Sequence, residues 1–125
     1  MIDDITQVKD TRIHFLHSTY REEESEAELK LVIYRIIQEQ LNNILKHAAA
    51  SEIEIELKKE TDNLTVSIKD NGKGFDTSVN SKGIGLQNIK HRADLFNGIV
   101  QIISSPGNGC KMKIIFKTSY SKDSL

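Results

Sequence analysis

Glu52-Ile53-Glu54-Ile55-Glu56-Leu57-Lys58-Lys59-Glu60-Thr61-Asp62-Asn63-Leu64-Thr65-Val66-Ser67-Ile68-Lys69-Asp70-Asn71-Gly72-Lys73-Gly74 is the stretch that decides the fold. Ile53, Ile55 and Leu57 alternate with charged residues, and Leu64, Val66 and Ile68 alternate with polar ones beyond the turn Thr61-Asp62-Asn63. Period-two alternation on both sides of a turn predicts an antiparallel hairpin with one buried and one wet face. Asp70 closes the second strand. Residues 71–82 then run polar and glycine-containing, with Phe75 and Val79 as their apolar anchors, which suits a mobile loop or lid.

Upstream, Ile33, Ile37, Leu41, Ile44 and Ala48 recur at spacings of three and four within residues 26–49. At ~100° per residue they form one stripe of an amphipathic helix, to be packed on the hairpin's apolar face. Ser25 and Glu28 have the form of a capping box at its start. Arg12-Ile13-His14-Phe15-Leu16-His17 reads as a first strand at a sheet edge. Residues 1–10 are short and polar, expected as a tail or the end of a preceding helix. Downstream, residues 85–96 read as a second helix with Leu86, Ile89, Ala93 and Phe96 at core spacing and Asn97-Gly98 as the stop. Residues 99–104 and 111–117 are two more strands, joined by the turn Ser105-Pro106-Gly107-Asn108-Gly109. The order strand, helix, two strands, lid, helix, two strands predicts a two-layer α/β sandwich, helices over one face of a mostly antiparallel mixed sheet. The domain is expected over residues 11–118, with 119–125 as a disordered tail.

Composition narrows the partners. A chain of 125 residues fits one domain with a real core, and a net charge of -1 leaves no electrostatic footprint for nucleic acid. One cysteine, Cys110, excludes an internal disulfide and a cysteine-based zinc cluster, and points to a reducing compartment. No run approaches ~18 apolar residues, and the N-terminus carries acids where a signal peptide is basic. The cytoplasm is the expected location, whether or not the full-length protein is anchored to a membrane.

Three patches carry chemistry. Glu39, Asn43, Lys46 and His47 lie together on the first helix, roughly opposite its apolar stripe, where helical geometry alone also fits a solvated face. Asp70-Asn71-Gly72-Lys73-Gly74 ends a strand with an acid and a glycine turn. Gly83-Ile84-Gly85-Leu86 opens the second helix with a backbone able to approach phosphate oxygens. Taken alone, Lys46 fits a solvated lysine, His47 a capping or core histidine, Asp70 a turn aspartate, and the glycines plain loop flexibility. No Gly-Lys-Ser/Thr follows the glycines, a third dinucleotide glycine is absent, and no bidentate glutamate completes an EF-hand.

These residues carry a family resemblance. Tyr34-Arg35-Ile36-Ile37-Gln38-Glu39-Gln40-Leu41-Asn42-Asn43-Ile44-Leu45-Lys46-His47-Ala48 resembles the N box of the ATP-binding domain of bacterial sensor histidine kinases. Asp70-Asn71-Gly72-Lys73-Gly74-Phe75 resembles their G1 box and Gly83-Ile84-Gly85-Leu86 their G2 box. The Lys-His-Ala ending and Gly85-Leu86-Gln87-Asn88-Ile89-Lys90-His91-Arg92-Ala93 are similar to kinases that pair with NarL-type response regulators.

The resemblance implies a Bergerat-type fold binding ATP with Mg2+. Asn43 would be the magnesium ligand, since an amide oxygen ligates a hard cation without adding charge. Glu39 would orient or deprotonate the nucleophile. Lys46 and His47 would contact phosphate or ribose, and Asp70 would accept from the adenine amine. Gly72 and Gly74 would bring backbone to the base, and Gly83, Ile84, Gly85 and Leu86 would face the phosphates. Where such kinases usually carry threonine, Gly109 is followed by Cys110, which predicts weaker adenine binding and an inert, buried thiol.

Of the four histidines, His14, His17, His47 and His91, none sits in a convincing acceptor helix. A phosphoacceptor on a separate dimerisation domain of the same protein is therefore expected, with a homodimeric full-length kinase, a response regulator as partner, and a fragment that is monomeric by itself. The resemblance leaves two alternatives: a stand-alone ATP-binding or interaction module such as an anti-sigma-factor serine kinase, and the topoisomerase, chaperone and mismatch-repair ATPases.

Overall fold

The computed structural model describes residues 2–8, 10–17, 27–77 and 86–117. In chain order its elements are β1 (Ile2–Val8), β2 (Thr11–His17), α1 (Ala27–His47), β3 (Glu52–Lys59), β4 (Asn63–Asp70), α2 (Leu86–Asp94), β5 (Ile99–Ser104) and β6 (Cys110–Lys117). The strands form one sheet of order β1-β2-β3-β4-β6-β5. Only β2 and β3 are parallel, because a helix connects them; the turn-linked pairs and β4 with β6 are antiparallel. The two-layer sandwich and its mostly antiparallel mixed sheet are as the sequence predicts.

The hairpin register explains the core. Ile55, Ile68, Met112 and Ile102 lie side by side across β3, β4, β6 and β5, and Leu57, Val66, Ile114 and Val100 form the next row. The helices lie over these rows. Leu29, Ile33, Ile36, Ile37 and Ile44 of α1 and Leu86, Ile89 and Ala93 of α2 are buried against them. Both helices therefore cover one face, and Glu54, Lys58, Lys69 and Lys111 stay exposed on the other.

Three differences from expectation have physical causes. First, Ile2–Val8 is a strand paired antiparallel to β2, so β2 is no longer at the sheet edge. Its apolar residues Ile2, Ile5 and Val8 recur every third residue, which is not a strand period, so backbone pairing defines this strand and the sequence pattern does not reveal it. Second, the buried stripe of α1 is turned by ~50°, about half a residue step, from the expected one. Ile36 is fully buried and Gln40 is 5% exposed, whereas Leu41 and Ala48 are only partly covered. Third, Asn63, expected in the turn, extends β4 and Cys110 extends β6 by pairing with neighbours, while Asp70 ends β4 as expected. The capping partner Ser25, the part of the predicted lid beyond Thr77 and the tail 119–125 lie outside the described residues.

α2 stops as predicted. Asn97 adopts φ 56°, Gly98 N–H donates to the Ala93 carbonyl at 2.8 Å and Asn97 N–H to Asp94 at 3.1 Å, a Schellman closure.

Ile68, fully buried in the middle row, is the sharpest test of this packing. Ile68→Ala should lower unfolding stability by about 3 to 4 kcal/mol. Urea denaturation followed by circular dichroism reads this out, and a loss below about 1 kcal/mol would contradict the packing described.

Candidate functional site

At one end of the sheet the apolar rows give way to polar residues. The last inward-facing row across β3, β4, β6 and β5 is Ile53, Asp70, Cys110 and Ser104, each in register with the next. Alternation alone dictates this, since Asp70 and Cys110 occupy the inward phase set by Ile68 and Met112. Asp70 is consequently buried at 4% exposure. A carboxylate so placed is costly to ionise unless it is hydrogen-bonded. Gly72 N–H supplies a bond to Oδ1 at 2.7 Å, but burial still dominates and raises the Asp70 pKa above 3.8. Burial, and then the neighbouring Asp70 charge, also lift the Cys110 thiol to about 11, against a lowering hydrogen bond with Ser104. The thiol is protonated and inert near neutral pH, in line with the sequence reading.

A cleft of about 340 Å³ opens above this row, within the size range of small-molecule sites. Asp70 and Cys110 line its sheet side, Gln40, Asn43, Ile44, His47 and Ala48 its α1 side, and Gly74, Phe75 and Leu86 the remainder. Positions 40, 43, 44 and 47 share one helical face, which is why one helix delivers an amide pair, an isoleucine and an imidazole together.

Local geometry fixes the walls. α1 ends with Ala49 in the left-handed region at φ 51°, and the Ala48 carbonyl accepts from Lys73 N–H at 2.7 Å. Gly72 lies so close to that carbonyl that a Cβ would overlap it. Asn71 is a staple: its Oδ1 accepts from Ser51 N–H at 2.9 Å and Glu52 N–H at 3.0 Å, and its Nδ2 donates to Ser51 Oγ at 2.9 Å. The next residues are laced to the β5–β6 turn. Gly109 N–H donates to Gly72 O at 3.0 Å, Gly107 N–H to Lys73 O, and Phe75 N–H to Ser104 Oγ at 2.9 Å. Gly109 itself needs its glycine, with φ 67° and the Asp70 carbonyl where a Cβ would be. Residues 71–75, expected as the start of a mobile lid, are thus tied to both neighbours.

The structure brings Asn43, His47, Asp70, Gly74 and Leu86 of the predicted set onto the cleft. Glu39 is half-buried and Lys46 exposed on the adjoining side of α1, and neither lines the cleft. Gly72 packs closely on Ala48 and is not among the residues lining the cleft. Gly83, Ile84 and Gly85 lie outside the described residues. Gln40 and Phe75 were not singled out as site residues. Gln40 is three residues before Asn43 on the same face, a spacing the sequence does contain.

Among known proteins, residues 28–120 match the model of the histidine kinase-, DNA gyrase B- and HSP90-like ATPase family. The chain is 37% identical over 82 residues to the signal transduction histidine-protein kinase/phosphatase DegS of Brevibacillus brevis, covering 65% of this chain and 21% of DegS. It is 34% identical over 95 residues to the oxygen sensor histidine kinase NreB of Staphylococcus carnosus, covering 74% and 27%. The chain thus spans about a quarter of the length of these curated relatives. A blue-light activated histidine kinase of Erythrobacter litoralis has the same fold at TM-score 0.75 and 19% identity, over 89% of this chain and 36% of that one.

Because the raised Asp70 pKa means that the native state holds this proton more tightly than the unfolded chain, stability falls as pH rises above 3.8 through the folded value. Asp70→Asn should therefore have a higher urea midpoint than wild type at pH 7, an advantage that vanishes below the ordinary carboxylate range. A variant less stable than wild type at pH 7 would contradict the cost assigned to this carboxylate.

Proposed function

The chain belongs to the histidine kinase-, DNA gyrase B- and HSP90-like ATPase family, and from that premise we propose that it is the ATP-binding catalytic domain of a two-component sensor histidine kinase. In the full protein it supplies the γ-phosphoryl group to a histidine of a dimerisation domain, which then serves a NarL-type response regulator. The observation that carries the reading is the meeting of buried Asp70 with half-buried Asn43 in one cleft with apolar walls.

The residues fit a purine nucleotide. Ile44, Ala48, Phe75 and Leu86 offer a water-poor surface to the faces of a base, and Asp70 is the buried acceptor on the cleft's sheet side. An acceptor-only carboxylate favours adenine, whose exocyclic amine donates, over guanine, whose corresponding oxygen cannot. Asn43 offers a neutral oxygen of the kind that hard cations take, so Asn43 would hold magnesium, which bound there would neutralise phosphate charge. His47, exposed on the cleft, is placed for phosphate or ribose contact. Glu39 precedes Asn43 by one helical turn. From the adjoining side of α1 it can accept or orient the proton of a histidine presented by another domain, the work of a general base.

The test combines this chain with a separately produced dimerisation domain and γ-labelled ATP. Phosphohistidine should form, and Glu39→Gln should slow its formation by about a hundredfold with nucleotide affinity retained. Label on serine, or none where the intact kinase autophosphorylates, would overturn the assignment.

A further inference from the structure

We propose that Gln40 is a positioning residue that orients the Asn43 side-chain amide and thereby sets the cation affinity of the cleft. The proposal rests on the reading of Asn43 as the cation ligand and goes beyond it to the group that makes Asn43 competent.

Gln40 occupies a core position. Its α1 neighbours on the buried side are Ile33, Ile36, Ile37 and Ile44, and it is itself only 5% exposed. A primary amide there costs free energy that an apolar residue would not, unless its polar atoms are satisfied. Its Oε1 accepts from Asn43 Nδ2 at 3.3 Å, between two residues that both line the cleft. The consequence is directional. The Asn43 amide has an oxygen on one side and an NH2 on the other, and its terminal torsion is broad and nearly two-fold. An acceptor fixed on the NH2 side leaves Oδ1 pointing away from Gln40, available to a cation. With no acceptor at position 40, both orientations of the amide are populated and one presents N–H groups, which repel a cation. Outer groups that orient ligands in this way commonly contribute to metal affinity.

The test is a double-mutant cycle on wild type, Gln40→Met, Asn43→Ala and the pair, titrated with ADP in magnesium and in EDTA. The readout is the ratio of the two dissociation constants, so packing effects on base or ribose contacts cancel. Gln40→Met should reduce the magnesium-dependent tightening by about three- to tenfold, the size of one net hydrogen bond. The pair should match Asn43→Ala alone, because Gln40 acts through Asn43. Gln40→Leu should behave as Gln40→Met and serves if the methionine variant does not fold. A ratio unchanged by either substitution, or losses that add in the pair, would overturn the proposal. A wild-type chain whose ADP affinity ignores magnesium would instead remove the reading of Asn43, and this proposal with it.

Discussion

The shape of the cleft follows from one buried carboxylate at the end of an apolar sheet. Asp70 continues the inward phase of β4 after Ile68, where every other row is hydrocarbon. Among the described residues no cation pairs with it; a single backbone N–H from Gly72 holds it. That one bond requires the chain to turn sharply after β4, and the turn brings Gly72 against the Ala48 carbonyl at the end of α1. The cleft exists because these constraints meet at one place. Leaving an acid with one hydrogen bond in a core is unfavourable, and perturbed carboxylates of this kind concentrate at functional sites.

α1 carries two unrelated duties on overlapping faces. Its isoleucines hold the sheet, and residues 40, 43, 44 and 47 form one wall of the cleft. Ile44 serves both. Glu39 and Lys46 fall outside the wall by roughly a tenth of a turn or more, on geometry alone. A group there reaches a second macromolecule more readily than a nucleotide within the cleft, which agrees with a domain that acts on a residue held elsewhere. The region from Ala48 to Ser51 then joins helix to sheet. Thr11 Oγ donates to the Ala50 carbonyl at 2.8 Å and Asn71 grips Ser51 and Glu52. Motion of the cleft's sheet wall against its helix wall is therefore restrained by bonds that are not part of the site.

Much of this was legible because period and turn chemistry agree. The hairpin around Thr61-Asp62-Asn63, the Asn97-Gly98 stop and the β5–β6 turn each have local causes, and each forms where its residues say. β1 was not legible, since its pairing with β2 is a backbone property with no matching side-chain period. Gln40 was hidden for a different reason: a glutamine beside Glu39 on a charged helix reads as surface until a second helix and the sheet show which side is inside. The close approach of Gly72 to the Ala48 carbonyl was not legible either, because it depends on where α1 ends against the turn after β4. Cys110 was placed correctly near the cleft, and its register with Asp70 explains the thiol's raised pKa.

If the Asp70 carboxylate selects adenine, calorimetric titration of the wild-type chain with ADP and with GDP, both in magnesium, reads the selection out. ADP should bind at least about tenfold more tightly than GDP, the discrimination expected when a buried acceptor meets a carbonyl in place of an amine. Equal affinity for the two nucleotides, or binding of neither by the folded domain, would contradict it.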